Sequence, residues 1–418
     1  MLLQFQSALG LVAIIGIAWL LSENRRAFPF RTVIVGLALQ IGLAALLLNA
    51  PGARDVLLSL NVVVVALSDA TRAGTSFVFG YVGGGKTPFA ISDPASVVSF
   101  AFQLLPLVIV MSALSCLLWY WRVLQIIVGG LSWVLRKSLG LGGALGLGAA
   151  ASVFMGTIEA PLLIRPYLAR MSRAELFMLF TVGLATVAGT VFVLYAAILS
   201  PVIPAALGHI LIASLLSLPA AILLARVMIP DNTSAQTDAG EEAGFRFHSS
   251  MDAVARGTED GLKIWLSIVA MLLVIVALVA LADIILSAAP HVAGEPITIE
   301  RVFGWIFAPF VWLLGIPWKE CVTAGALMGD KTILNELIAY QHLAALPADA
   351  LEPRSRLIML YGMCGFANLG SLGIMIAGLT GMVPERRAEI VPLVMKGLVS
   401  GTLASAMTGA VIGLLPAF

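Results

Sequence analysis

The chain has 418 residues, 60% of them apolar and only 11% charged, with 24 Lys and Arg set against 23 Asp and Glu. A water-soluble protein of this length would need more charge to cover its surface, and a net charge of +1 gives no basic footprint for nucleic acid. Three cysteines (Cys116, Cys321 and Cys364), all in apolar stretches, make neither a disulfide framework nor a zinc site. The composition therefore predicts an all-α polytopic protein of the inner membrane, with apolar runs of about 20 residues each crossing a hydrocarbon core of roughly 30 Å.

The first apolar run is 2–22. It lacks a basic leader and a small-residue cleavage site, so it is expected to stay as the first helix. A basic loop with Arg25, Arg26 and Arg31 leads to a second span at 32–53. Residues 54–93 mix polar and apolar positions (Arg54, Asp55, Asp69, Arg72, Lys86), which predicts an interfacial helix followed by a glycine-rich loop. A third span, 94–121, ends in the aromatic cluster Trp119, Tyr120, Trp121, typical of the headgroup level. Residues 138–158 are rich in Gly and Ala and end at Glu159-Ala160-Pro161, with Arg165, Arg170 and Arg173 soon after. That is too short for a second crossing and predicts a re-entrant hairpin. Residues 176–225 carry no Asp, Glu, Lys or Arg, and Pro201 and Pro204 divide them into two spans. A polar loop, 230–263, precedes a span at 264–282. A second hairpin is expected over 302–345, around Pro317 and a polar centre, with final spans at 357–383 and 397–418.

This amounts to about eight spans plus two hairpins and the interfacial helix. The organisation divides into 1–137 (N-terminal helices, mainly scaffold), 138–229 (first hairpin and first repeat), the loop 230–263, a scaffold helix within 264–301, and 302–418 (second hairpin and second repeat). Lys and Arg concentrate in alternate loops, which places those loops in the cytoplasm and both termini in the periplasm. Arg54, Arg72, Lys86, Arg301, Arg354 and Arg356 fall outside that pattern.

A repeat points to function. Gly183-Leu184-Ala185-Thr186-Val187-Ala188-Gly189 recurs as Gly365-Phe366-Ala367-Asn368-Leu369-Gly370-Ser371, each copy following a hairpin that bears an acid, Glu159 or Glu336. Inverted repeats with broken helices place a transporter's site near the bilayer midplane. Small residues also serve helix packing, but packing does not call for Glu159, Glu336 and Asn368 in matched places. Carboxylates at membrane depth are costly and mark either a functional site or a paired structural charge, for which Lys319 and Lys331 are the available partners of Glu336. Asn368 offers a donor and an acceptor, Ser371 stands one turn away, and Phe366 could stack on a flat base. Gly80–Thr87 matches the phosphate-loop pattern, but no strand–loop–helix context surrounds it. Asn232-Thr233-Ser234 matches a glycosylation acceptor inside the expected cytoplasmic loop.

The segments 156–168, 185–190, Gly315-Ile316-Pro317-Trp318, Asn335-Glu336 with Ala339-Tyr340, and 365–369 together resemble the concentrative nucleoside transporters, in order and spacing over nearly the whole chain. The resemblance implies a homotrimer in a lipid bilayer, with a scaffold and an elevator-type transport domain, no cofactor, and coupling to protons or sodium. It implies ribose contacts from Glu336, Asn368 and Ser371, an aromatic contact from Phe366, and base contacts from the first hairpin ending at Glu159. It implies an ion site at Ser152, Thr186 and the carbonyls of Met155 and Val187. The family's Gln-Thr-Glu at the hairpin tip reads Thr157-Ile158-Glu159 here. Its sodium-coupled members carry Asn where this chain has Ser152, and Ser where it has Thr186. These departures leave open a nucleobase or another small sugar-like solute as substrate. A membrane-embedded enzyme using Glu159 and Glu336 as an acid/base pair is the reading from another class.

Overall fold

The computed structural model describes residues 2–49, 52–91, 97–230, 247–288 and 296–415, and the described residues are helical, with no strand. The glycosylation-like Asn232-Thr233-Ser234, most of the polar loop, residues 94–96 and the final 416–418 lie outside the described residues. Eight of the helical segments are long and apolar enough to cross a membrane.

Helices α1 (Leu2–Leu20) and α2 (Phe30–Asn49) follow the two expected spans. Helix α3 (Ala53–Phe79) is one continuous helix, and over Val62–Gly83 it is apolar enough to count among the eight, where an interfacial helix was expected. The phosphate-loop look-alike is the 3-10 turn Gly80–Gly83 closing α3, so the pattern has no nucleotide-binding context. The third span begins with a π turn at Phe100–Leu104 and continues as α4 (Leu107–Tyr120).

From here the chain runs through two units of the same plan. The first is α4, α5 (Val123–Leu139), a hairpin, α9 (Arg173–Ala185), a break, α10 (Gly189–Leu199) and α11 (Ala206–Met228). Its hairpin has arms α6 (Gly143–Ala151) and α7 (Glu159–Leu163) with α8 (Arg165–Leu168), so Glu159 follows the tip and opens the second arm. The second unit is α12 (Ser250–Leu286), α13 (Ile299–Leu313), a hairpin of α14 (Cys321–Ile333) and α15 (Glu336–Ala345), then α16 (Pro353–Met363), a break, α17 (Leu369–Met382) and α18 (Arg387–Leu414).

Three expected boundaries move. Residues 250–263, read as polar loop, are the start of α12: Ser249 caps it by accepting from the Asp252 N–H, and Arg256–Asp252 and Lys263–Glu259 ion pairs line its exposed face. The second hairpin begins after Pro317 and not at residue 302. The turn at Pro317 separates α13 from α14, and the tip lies at 334–335, where the Asn335 side chain accepts from the Ile338 N–H and starts α15. The expected span 357–383 is broken between Met363 and Leu369 because Asn368 turns extended (φ −141°, ψ 167°) and caps α17 through the Ser371 N–H.

Packing separates centre from periphery. Helices α9, α10, α11, α16 and α18 are mostly buried, with α11 and α18 packed on each other and α9 and α16 both packed on α18. Helix α12 rests along α4 and leaves Leu266, Leu273, Val276, Leu278 and Leu281 exposed, as suits a lipid-facing surface. One face of the bundle gathers three loops. Glu23 pairs with Arg173 (3.0 Å) and Lys396 (2.8 Å), and Arg386 donates to the carbonyls of Leu168 and Met171. The hydrogen bond from Arg173 holds the Glu23 carboxyl below its ordinary range.

Candidate substrate and cation site

The two breaks meet. The Phe366 N–H donates to the Thr186 carbonyl (3.1 Å), so the unwound segment of one unit crosses that of the other. The sequence repeat located both breaks but not their register. Gly183–Gly189 and Gly365–Ser371 pair Thr186 with Asn368, whereas in the structure Thr186 is the C-cap of α9 and its counterpart is Cys364; Asn368, the N-cap of α17, matches Ala188.

Glu336 sits at the first position of α15, directly after the hairpin tip, and is 4% exposed. The Tyr195 hydroxyl donates to its Oε1 (2.6 Å) and the Asn368 Nδ2 to its Oε2 (2.9 Å). Thus α10, the second hairpin and the α16–α17 break converge on one carboxylate. No cation stands at ion-pair distance from it among the described residues: Lys319 pairs instead with Glu352 and Glu320 at the α13–α14 turn, and Lys331 makes no such contact. With these two side-chain donors and its own backbone N–H, the carboxylate still has acceptor capacity among its roughly four lone-pair sites. Tyr195 was not singled out from the sequence. Its signal was available, since a Tyr inside a charge-free apolar span needs a partner for its hydroxyl. The Tyr195 ring is fixed edge-on by Tyr340, whose own hydroxyl donates to the Leu360 carbonyl. Asn368 uses its Oδ1 to accept from the Ser371 N–H (2.7 Å), so one amide both caps α17 and holds Glu336.

The first hairpin brings its tip to the other break. Thr186 Oγ1 lies 3.1 Å from the Ser152 carbonyl and 2.9 Å from the Val182 carbonyl, and the Gly189 N–H donates to the Phe154 carbonyl. Ser152 Oγ donates to its own helix at the Gly148 carbonyl. No described residue donates to the carbonyls of Met155 or Val187. Hairpin tip and helix break therefore offer a set of neutral oxygens, which is the chemistry a hard monovalent cation takes. No group of three or more His, Cys, Asp or Glu side chains among the described residues could hold a metal.

Thr157 is buried, and with the Met375 methyl it faces the space beside Gly183 that a Cβ would fill. Ile158 packs on Gly378 of α17: an added Cβ there would fall 2.9 Å from it. The Glu159 carboxylate folds back over Gly156, leaving no room for a Cβ there, and it takes backbone hydrogen bonds from Glu159, Ile158 and Gly156.

A family model described as Na+ dependent nucleoside transporter, C-terminus, matches residues 209–413, and its N-terminal companion matches 9–82. A model for nucleoside recognition, termed Gate, matches 101–202. The uncharacterised transporter YutK of Bacillus subtilis is 35% identical over 97% of this chain and 98% of its own length. The nucleoside permease NupC of Helicobacter pylori is 32% identical over 98% of this chain and 97% of its own. The chain is a member of the concentrative nucleoside transporter family. A structure of the transporter CNTnw in an inward-facing, substrate-bound state is 33% identical and superposes with a TM-score of 0.89, covering 99% of this chain and 97% of that one. Membership makes this a multi-pass membrane transporter and not an enzyme, so the acid/base reading of Glu159 and Glu336 is set aside.

Proposed function

We propose that this transporter accumulates nucleosides across the bacterial inner membrane, driven by a sodium gradient, with ribose held at Glu336 and the base held against the first hairpin. The observation that carries the reading is the buried Glu336 carboxylate, held by the neutral donors Tyr195 and Asn368 and left with spare acceptor sites. A ribose diol supplies the two hydroxyl donors such a carboxylate accepts, and Asn368 and Ser371 flank it on α17. Phe366 and Thr157 with Glu159 form the base side. Ile158, packed on Gly378, supplies shape in place of the polar contact carried by family members with Gln-Thr-Glu.

The cation belongs at Ser152, Met155, Thr186 and Val187. These groups are hydroxyls and carbonyls, with no side chain that binds and releases a proton near neutral pH, so the set suits sodium better than a proton. Alternating access follows from moving the hairpin unit as a body, with α3, α4 and α12 as the scaffold of a homotrimer whose outer surface meets lipid. The face gathered by Glu23, Arg173, Arg386 and Lys396 is the cytoplasmic one, which puts both termini in the periplasm.

Purified protein in proteoliposomes tests this with labelled uridine and each gradient applied alone. Uridine accumulates above its outside concentration under a sodium gradient and not under a pH gradient. Accumulation driven only by pH would move coupling to a titratable group such as Glu159, and accumulation under neither would sink the concentrative reading. A competition panel of nucleosides and free bases places the substrate class: free bases fail to compete because they lack the ribose that Glu336 reads.

Tyr195→Phe removes one hydrogen bond to the carboxylate without changing ring volume. Hydrogen bonds to charged groups contribute about 1.5–3 kcal/mol. The KM for uridine therefore rises about tenfold or more, while detergent-solubilised protein elutes as wild type. An unchanged KM would show that Tyr195 does not orient the site.

A further inference from the structure

Lys331 lies on α14, one turn before the second hairpin's tip. It is completely buried, and no described residue gives its Nζ a hydrogen-bond partner. A buried, unpartnered ammonium costs several kcal/mol, and a chain that keeps one has a state in which the charge is compensated. The groups around it are few. Glu336 of α15 is its electrostatic partner, though not in ion-pair contact. Cys364, at the α16–α17 break, also faces it, and Tyr340 of α15 and Tyr195 of α10 crowd the same carboxylate. The neighbouring acid on its own helix, Asp330, is engaged by His342 of α15 (2.8 Å), and Glu300 of α13 acts on that pair. Glu336 is therefore the carboxylate left for Lys331.

We propose that Lys331 is the internal counter-ion of the substrate-binding carboxylate, pairing with Glu336 when the nucleoside leaves so that the empty site recrosses the membrane with no net side-chain charge. This rests on the nucleoside-transport reading. Loaded, the carboxylate is occupied by ribose hydroxyls and donors. Empty, it needs either a cation or a proton, and Lys331 on the same hairpin supplies the cation without help from solvent. The coupling ion can then leave its own site at the first hairpin without stranding a negative charge at the second. Lys331 acts through Glu336 and is a positioning residue.

Net uptake requires return of the empty carrier, whereas exchange of nucleoside inside for nucleoside outside does not. Lys331→Met keeps the length of the side chain and removes its charge. In proteoliposomes, the variant keeps exchange close to wild type, loses net uptake at alkaline pH, and regains it on acidification as a proton replaces Lys331 on Glu336, by about tenfold per pH unit. Net uptake and exchange falling together, or net uptake keeping the wild-type pH profile, would overturn the proposal. The unsubstituted protein supplies a second test: its empty return needs no proton, so the ratio of net uptake to exchange stays flat with pH. A ratio that climbs with acid overturns the counter-ion role. Absence of any nucleoside exchange in the wild type would instead sink the functional reading, and this inference with it.

Discussion

Glu336→Gln binds uridine about a hundredfold more weakly than wild type and loses uptake, while unfolding at nearly the same temperature. The carboxylate accepts from Tyr195 at one oxygen and from Asn368 at the other. An amide of the same shape can accept only through its single oxygen, so one of those buried donors faces an NH2 group. The ribose hydroxyls lose a charged acceptor as well. Removing one side of a buried, charge-assisted hydrogen bond costs about 2–5 kcal/mol of binding, and a hundredfold loss corresponds to about 2.7 kcal/mol. The fold tolerates the change, because Glu336 makes no ion-pair contact in this structure and Lys331, left without its carboxylate, can release its proton instead of staying buried and charged. Isothermal titration in detergent and thermal unfolding on the same sample separate the two effects. Wild-type affinity in the Gln variant would show that Glu336 is not the ribose acceptor. A collapse of thermal stability alongside the affinity would make the residue structural.

Most of the architecture was legible because lipid imposes strong rules. Apolar run length located α1, α2, α4 and the pair divided at Pro201 and Pro204, since a backbone in hydrocarbon has few options besides helix. The weaker readings were those set by polar chemistry at helix ends. The amphipathic start of α12 reads as loop by composition, yet its i,i+4 ion pairs and the Ser249 cap make it helix. Pro317 reads as part of the second hairpin, but it separates α13 from the hairpin's first arm, and the tip at 334–335 is set by Asn335 capping α15. Of the candidate site, the sequence marked Glu336 and Asn368, and the structure brings these two together. What one chain could not show was who completes them. Tyr195 comes from a helix distant in sequence, whereas Lys331, five residues from Glu336 and readable as its salt-bridge partner, is buried with no hydrogen-bond partner among the described residues. Long-range partners leave no local periodicity to read, so only an unexplained polar group in an apolar span announces them.

Gly365→Ala lowers stability by about 1–3 kcal/mol, the usual range for overpacking a tight contact, and cuts nucleoside uptake more than tenfold. The reason lies in what opposes the added methyl. At Gly365 it would fall 2.8 Å from the Ala185 carbonyl oxygen and 3.0 Å from its carbon, so the obstacle is backbone, at the point where α9 ends. Relief requires separating the two breaks, and the next residue, Phe366, supplies the hydrogen bond to Thr186 that joins them. Separation therefore disturbs both halves of the proposed site at once: Thr186 on the proposed cation side, and Phe366 with Asn368 on the proposed nucleoside side. Gly183 is the control, because it occupies the matching place in the sequence repeat with a different obstacle. There the nearest atom to an added methyl is the Met375 terminal carbon at 3.2 Å, the far end of a flexible side chain that can turn aside. Gly183→Ala should thus stay close to wild type in both thermal unfolding and uptake. Equal tolerance of the two substitutions would mean that the crossing of the breaks is not a fixed contact of the working transporter. Equal damage would mean that small residues in these segments serve general helix packing, the ordinary explanation for glycine in a membrane protein. A split between them ties the repeated glycine of the second unit to the close approach of two backbones, which is the geometry that lets two interrupted helices present their freed groups to a single site.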